Sequence, residues 1–254
     1  MKLISVVLKS DFGFFRKPDA NGTINLTYNM LHKPALLGIL GAIIGLDGYK
    51  EKGKWPEYYE KLKDLKIGIE PLNHENGNFQ KTVIKYTNTI GYANKDGNYI
   101  TEESTLIKPS YKIYLLLDVD TKEQKMLFDN IRDGKSEYIP YFGKNEFNTW
   151  WESESFEEYR FDKIININNN YKISTLFEKS KVLIYDSNDF LDLLNIDKTD
   201  TPFLYFERLP KGFNEELMQY ELGDFVFTTF NLKSEYLIDN LYHLIDKNKY
   251  VQLY

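Results

Sequence analysis

Apolar and polar residues alternate along several stretches of the chain in the way that β-strands require. The first stretch, residues 3–8, is short and rich in β-branched side chains. Three later runs, "KIGIEPL", "NFQKTVIKYTNTIGYA" and "STLIKPSYKIYLLLDVD", are separated by Asn76-Gly77 and Asp96-Gly97, pairs that favour tight antiparallel turns. In the last run, alternate residues from Tyr111 to Val119 share one apolar face. This alternation predicts a central strand.

Helical spacing of apolar residues appears in three other stretches. The most apolar, "LHKPALLGILGAIIGLDG" at 31–48, places Pro34 in the first turn of a helix and Asp47-Gly48 at its end. A shorter helix is predicted from Trp55. A third begins at the capping-box pattern "TKEQ", residues 121–124, and ends at Asp133-Gly134.

The order of these elements predicts an α+β fold. A strand, a helix, strands and a second long helix indicate a ferredoxin-like β-α-β-β-α-β domain over residues 1–150, with an inserted β-hairpin. An acidic, asparagine-rich segment after Trp151 indicates a boundary. Residues 160–254 are predicted to be β-rich, with strands at "KVLIYD", "PFLYFERL" and "FVFTTF", a short helix at "NDFLDLLNI" and a terminal amphipathic helix at "SEYLIDNLYHLID".

The glycines of the apolar stretch share one side of its helix. At 100° per residue Gly38, Gly41 and Gly45 cluster with Ala42, and the leucines lie opposite. Each glycine costs about 1 kcal/mol of helix propensity against alanine. We therefore expect a sheet or a neighbouring backbone to pack closely against this face. The stretch holds twelve consecutive apolar or small residues, fewer than the roughly 20 of a membrane span.

The composition narrows the classes of function. The chain has 254 residues, 42% of them hydrophobic and 28% charged, and no cysteine. Disulfides, thiolate metal sites and cysteine nucleophiles are therefore excluded. The apolar run at residues 3–8 is too short for a secretory signal. We expect a cytoplasmic protein with no membrane segment.

Charge is distributed unevenly along the chain. The net charge is −6, but residues 1–54 carry +4 and residues 119–254 carry −9. Because local potential governs contact with phosphates, the negative total does not exclude nucleic-acid binding by the N-terminal part. The acidic C-terminal half fits a solvated surface.

Aromatic and basic residues interleave before the first helix. Phe14 and Tyr28 stand among Lys9, Arg16, Lys17 and Lys33, and His32 precedes Lys33 at the expected start of the helix, where an anion would be favoured. Such interleaving is typical of single-stranded RNA binding, in which rings stack on bases and cations meet phosphates. Aromatics in the core beside a solvated cationic edge would give the same pattern. No histidine pair has metal-ligand spacing and no Walker or G-x-S-x-G motif occurs, so we predict no metal and no cofactor.

Five separated motifs together resemble one family. They are "GFFRKPDANGTINLTYNM" at 13–30, "HKPALLGILGAIIGLDGY" at 32–49, "LIKPSYKIYLLL" at 106–117, "YFGKNEF" at 141–147 and "YFERLP" at 205–210. In this order the set is similar to the Cas-five proteins of type I CRISPR systems, in the RAMP superfamily, and most similar to subtype I-B. Lys108, Tyr111 and Lys144 lie in these motifs and complete the candidate RNA-binding residues.

The resemblance implies a structural role in antiviral defence. Members have a ferredoxin-like (RRM-like) domain carrying a β-hairpin thumb, followed by a smaller β-rich region. They hold the 5′ handle of the CRISPR RNA and cap the backbone filament of the Cascade surveillance complex. Their partners are the backbone subunit, the large subunit and, through the complex, target DNA.

Two other functions stay open. Subtype I-C members cut precursor CRISPR RNA without metal, using a tyrosine, a lysine and a histidine. Tyr28, His32 and Lys33 supply these residue types, but they do not match the cutting branch residue by residue, so no catalytic residue is assigned. Alternatively, the acidic half docks neighbouring subunits and RNA is held only by the assembly.

Overall fold

The computed structural model describes residues 1–18, 22–87, 100–179, 191, 194–195 and 202–254, and it is an α+β structure dominated by strands. The helices are α1 (Lys33–Ile43), α2 (Glu57–Leu62) and α3 (Lys122–Arg132). The strands are β1 (Lys2–Lys9), β2 (Phe12–Gly13), β3 (Phe15–Arg16), β4 (Ile24–Asn25), β5 (Thr27–Tyr28), β6 (Lys66–Leu72), β7 (Lys81–Thr87), β8 (Ile100–Ile107), β9 (Ser110–Leu117), β10 (Glu157–Tyr159), β11 (Phe161–Lys163), β12 (Phe177–Glu178), β13 (Leu194–Asn195), β14 (Leu204–Asn214), β15 (Gln219–Thr228), β16 (Asn231–Leu232), β17 (Leu241–Leu244) and β18 (Lys249–Gln252).

A four-stranded sheet in the order β10-β1-β9-β6 organises the N-terminal part of the chain. All of its neighbouring strands are antiparallel. The prediction of a central strand is confirmed, because β9 lies between β1 and β6. Along the chain, the sheet and its two long helices follow the order β1, α1, β6, β9, α3, β10.

Both faces of this sheet are covered within the described part of the chain. On one face Ile113 packs in the main core with Leu36 and Leu40 of α1 and Leu127 of α3. On the other face Tyr114 and Leu116 pack with residues of β17 and β18. The main core also takes in buried residues from beyond position 160, namely Leu176, Leu209, Phe225 and Phe227. The two predicted units therefore contribute to one core, and their division at residues 150–160 stays a prediction.

An antiparallel pair of strands, β7 and β8, stands along the chain between β6 and β9. On its other edge β8 pairs with β2 and β4. The predicted turn at Asn76-Gly77 is present: both residues have positive φ angles, and the amides and carbonyls of Glu75 and Asn78 bond to each other. The Asp96-Gly97 pair lies outside the described residues.

The C-terminal part is built around the long hairpin of β14 and β15, which confirms the strands predicted at "PFLYFERL" and "FVFTTF". The run "KVLIYD" lies outside the described residues, as does most of "NDFLDLLNI". Within the latter, Leu194–Asn195 form β13, which pairs with β16.

The predicted terminal helix is wrong. The segment instead contains β17, which pairs with β11 and with β18, the latter through a turn in which Asn248 is left-handed. Ile238, Leu241 and Leu244 recur every three residues and so mimic a helical face. In the strand, Leu241 points into one apolar cluster and Tyr242 and Leu244 into another. Pairing on both edges and burial on both faces override the local pattern.

Helix α1 is confirmed, and its glycines meet different surroundings. The sheet packs on the leucine side, whereas Tyr58 of α2 packs on the glycine side. A Cβ on Gly41 would lie 2.4 Å from the Cβ of Tyr58, so this position needs a glycine. Gly45 ends the helix with a φ of +75°. Gly38 has only ordinary contacts and borders a cleft.

Candidate nucleic-acid interface

A cleft of about 670 Å³ runs along α1 and is bounded by α2, the end of the β14-β15 hairpin and residues 138–144. Its floor is the partly exposed, small-residue side of α1, formed by Ala35, Gly38 and Ala42. Its walls are mostly aromatic: Tyr49, Tyr58, Tyr138, Tyr141, Phe213 and Tyr220. Arg16 and Lys144 line the cleft as well.

The segment that carries two of these tyrosines is fixed by hydrogen bonds to its neighbours. The amides of Glu137 and Tyr138 donate to the carbonyls of Ile43 and Ala42 in the last turn of α1, at 3.2 and 3.0 Å. The amide of Thr149 donates to the carbonyl of Pro140 at 2.9 Å. Tyr138 is nevertheless 55% exposed and Ile139 71% exposed. Large apolar side chains are thus displayed to solvent on an ordered backbone.

Two of the quoted motifs meet beside the cleft. The amide of Phe14 donates to the carbonyl of Phe142 at 3.0 Å. Gly143 has a φ of +85°, and a Cβ there would lie 1.9 Å from the carbonyl oxygen of Phe14. Only glycine fits this contact. The close approach of Gly143 to Phe14 places the next residue, Lys144, beside the β7-β8 pair. The ammonium of Lys144 contacts Glu103 at 2.7 Å and lies 3.8 Å from the ring centre of Tyr86.

Other motif residues form a buried network around Asn29. The side chain of Asn29 donates to the carbonyl of Gly77 at 2.7 Å, and the hydroxyl of Tyr111 donates to its carbonyl at 3.1 Å. The carboxylate of Glu207 accepts from the amides of Asn29 and Met30, each at 3.0 Å. The motifs at 13–30, 106–117 and 205–210 therefore lock together, which gives several of their residues a structural role.

The structure separates the candidate cations into paired and unpaired groups. Lys9 pairs with Glu152 at 3.0 Å, and Lys17 pairs with Glu207 at 3.1 Å. Arg16 and Lys108 are exposed and have no acidic partner among the described residues. Lys108 adopts a φ of +46° where the chain turns between β8 and β9, and its amide donates to the carbonyl of Asp11 at 2.8 Å.

The candidate aromatics lie in the interior. Phe14, Tyr28 and Tyr111 are 5%, 3% and 0% exposed. The interleaved pattern allowed either stacking on RNA or packing in the core for Phe14 and Tyr28, and the structure shows packing. The exposed rings next to the cations are instead Tyr138 and Tyr141, which the sequence pattern did not single out. Their signal was a pair of tyrosines in "YIPY", a stretch without strand or helix periodicity.

His32 is the N-cap of α1 and is buried. Its Nδ1 accepts from the amide of Ala35 at 3.3 Å, and the rings of Tyr28 and Tyr220 lie edge-on to it at 5.3 and 5.7 Å. Burial lowers the pKa of His32 to about 3. The imidazole is neutral near pH 7 and is a weak general base there.

Lys33 is directed away from the cleft lining. The residue is 9% exposed, and its ammonium donates to the backbone oxygen of Tyr254 at 3.1 Å. Burial lowers the pKa of Lys33 to about 8. With Tyr28 buried and His32 neutral, the three residue types of the cutting branch do not form an accessible acid-base set.

Two other kinds of site are absent from the described part of the chain. No cluster of three or more His, Asp or Glu residues there could hold a metal ion. Among the same residues, no helix is both long and apolar enough to span a membrane.

Comparison with known proteins finds solved structures of similar fold. No protein-family model matches the sequence, and no curated protein matches it. Among solved structures, a CRISPR protein from Archaeoglobus fulgidus has a TM-score of 0.51 and 14% identity, covering 99% of this chain and 98% of that chain. A chain of a CRISPR RNA-guided surveillance complex has a TM-score of 0.50 and 11% identity, covering 91% and 92%.

A third structure extends the comparison. A chain of the type III-B Cmr-beta complex, determined by cryo-EM with cognate target RNA and AMPPnP, has a TM-score of 0.54 and 11% identity, covering 99% of both chains. At these identities the similarity concerns the fold. The chain therefore has a fold similar to that of these CRISPR proteins, which agrees with the resemblance of its motifs.

Proposed function

We propose that the protein is a non-catalytic RNA-binding subunit of a type I CRISPR surveillance complex, of subtype I-B. In this role it holds the 5′ handle of the CRISPR RNA and caps the backbone filament. Support comes from the fold, which resembles a chain of a CRISPR RNA-guided surveillance complex over 91% of the sequence. Support also comes from the five motifs quoted above.

The domain assignment is part of the same proposal. The sheet order β10-β1-β9-β6, with α1 and α3 packed in the core on one face, supports a ferredoxin-like domain. The β7-β8 pair corresponds to the inserted thumb, and the region from residue 160 onward to the smaller β-rich unit. Because both faces of the sheet are covered in the described residues, RNA binds at the edge of this domain and not on its sheet.

One observation carries the RNA-binding part of the proposal. The guanidinium of Arg16, which has no acidic partner in the part of the chain that the structure describes, stands at a cleft whose exposed tyrosines sit on a fixed backbone. Cations beside exposed rings are the arrangement by which proteins hold single-stranded RNA. Lys108 adds a second cation without an acidic partner among the described residues. Lys144 and Lys9 contact phosphates once RNA displaces their carboxylate partners. The other candidate residues are buried or paired, and their role is to position the loops: Phe14, Tyr28, Tyr111, His32, Lys33 and Lys17.

The remaining partners follow from the proposed role. Outside the cleft, the acidic part of the chain, with a net charge of −9 over residues 119–254, contacts the backbone and large subunits. Target DNA is reached through the complex, in the cytoplasm.

The salt dependence of RNA binding tests the proposed contacts. Fluorescence anisotropy of a labelled eight-nucleotide oligouridylate would be measured from about 50 to 300 mM salt. Removing one phosphate-binding cation flattens the slope of log K against log salt by about 0.7 for single strands. We expect a slope flattened by this amount in Arg16→Ala and in Lys108→Ala. Lys125→Ala is the control, since Lys125 is an exposed lysine on α3 paired with Asp129. Slopes that do not change in either test variant would refute the proposed surface.

A further inference from the structure

We infer that the cleft along α1 holds one unstacked nucleobase, which lies over Gly38 between the tyrosines while its phosphate meets Arg16. The inference rests on the proposed function, because the nucleotide belongs to the bound RNA. It adds a base-binding site to the phosphate contacts.

The dimensions of the cleft suit a nucleotide. Its volume, about 670 Å³, lies within the range of small-molecule sites, and its lining is apolar and aromatic with a few polar groups. The helix side that forms the floor has no side chain larger than a methyl group at Ala35, Gly38 and Ala42. A flat ring can therefore approach the helix backbone closely.

Gly38 differs from Gly41 in a way that packing does not explain. A Cβ on Gly38 would find its nearest neighbour, the Cζ of Tyr58, at an ordinary 3.8 Å. Alanine would fit this position and would favour the helix. Without a side chain at position 38, a ligand can approach the floor of the cleft closely. Glycine at this position therefore favours ligand binding and does not stabilise the fold.

The aromatic walls are held in place by contacts with one another. Tyr220 stacks on Phe213 with ring centres 4.9 Å apart and planes at 21°. Burial raises the pKa of Tyr58 and of Tyr220, so both phenols remain protonated near pH 7. Ordered rings offer stacking faces, and protonated hydroxyls can donate to base acceptors.

The charges around the cleft favour one phosphate. Asp47 pairs with Lys50 at 2.5 Å, and Lys144 contacts both Glu103 and Glu146. Arg16 is the cleft-lining cation that has no acidic partner among the described residues. An apolar peptide would leave this guanidinium without a counter-ion, whereas a nucleotide supplies one at the edge of the same cavity.

The test separates the base from the phosphates. Two labelled octamers of equal charge would be compared, oligouridylate and an abasic ribose-phosphate strand. Stacking of one base adds about 5- to 150-fold in affinity, so we expect the wild-type chain to prefer oligouridylate by at least roughly fivefold. Gly38→Leu, which fills the floor, should bring the ratio close to one without changing the affinity for the abasic strand.

A second variant, at the rim of the cleft, tests the base site even if Gly38→Leu does not fold. Tyr141 is 43% exposed, so Tyr141→Ala should fold normally and lower the same ratio. Arg16→Ala should weaken both probes equally. If both probes bind and neither Gly38→Leu nor Tyr141→Ala lowers the ratio, the base site is refuted and RNA binding stands.

Two further results would also overturn the inference. A wild-type chain that binds neither probe would overturn the base site together with the proposed function. A ratio of one in the wild type, with Gly38→Leu blocking assembly with a partner subunit, would assign the cleft to a protein.

Discussion

Two glycines of α1, three positions apart, provide a matched pair of substitutions. At Gly41 a Cβ would lie 2.4 Å from the Cβ of Tyr58 and 3.7 Å from its Cα, so α2 itself would have to shift. At Gly38 the nearest atom would be 3.8 Å away. The two positions therefore share a helix and a residue type but differ in what an added methyl group meets.

The expected magnitudes follow from two opposing effects. Replacing an interior glycine by alanine favours the helix by about 1 kcal/mol at either position. Forcing a methyl group into a filled space costs about 1–3 kcal/mol. Gly38→Ala should therefore raise the free energy of unfolding by up to about 1 kcal/mol. Gly41→Ala should lie below Gly38→Ala by about 1–3 kcal/mol, because the propensity gain cancels in the comparison.

Urea unfolding followed by circular dichroism would measure both variants against the wild type. Equal m-values would show that the compactness of the two end states is unchanged. If both variants were stabilised to the same extent, the close packing of α2 on Gly41 would be refuted. Gly41→Leu should be destabilised further, and normal folding of that variant would contradict the same contact.

Three other predictions concern stability. Glu207→Ala leaves Lys17 and two buried amides without their acceptor. The variant should therefore lower the free energy of unfolding, measured by urea titration, by at least about 2 kcal/mol. A decrease smaller than about half of that value would contradict the Asn29 network. Burial lowers the pKa of His32 from 6.5 in the unfolded chain to about 3 in the folded protein. As the pH falls from 6.5 towards 3, the unfolded chain binds a proton at His32 and the folded protein does not, so the free energy of unfolding decreases. Between pH 7 and pH 5 this decrease should reach about 2 kcal/mol and vanish in His32→Asn, which keeps a capping acceptor; the same pH dependence in the variant would exclude His32 as its source. Gly143→Ala meets the carbonyl of Phe14 at 1.9 Å with a φ of +85° and should give little folded protein, so a wild-type melting temperature would contradict that contact.

Local patterns were sufficient where secondary structure is decided by nearby residues. The alternation from Tyr111 onward identified β9, and Pro34 with Asp47-Gly48 located α1 within a few residues. The terminal segment failed because Leu241 and Leu244 satisfy helical spacing and strand burial alike. Its conformation depends on pairing with β11 and β18, which no local window contains.

The candidate site was only partly predictable for the same reason. The sequence grouped Arg16 with aromatic residues through the interleaved pattern and singled out Lys144 through the motif at 141–147, and both line the cleft. The sequence could not show that Lys17 pairs with Glu207, because Glu207 is distant in the chain and lies in the β14-β15 hairpin. Nor could it distinguish the buried Tyr28 from the exposed Tyr141, because exposure is set by how loops pack against α1.

In the proposed function, this chain holds the processed 5′ end of a CRISPR RNA inside a complex. The most direct measurement is to co-express it with the CRISPR transcript and partner subunits, purify it by a tag on this chain and map the 5′ ends of the RNA recovered. We expect RNA with a single uniform 5′ end, retained less well by Arg16→Ala than by Lys125→Ala. Recovery of no RNA, or of RNA with scattered 5′ ends, would contradict the account.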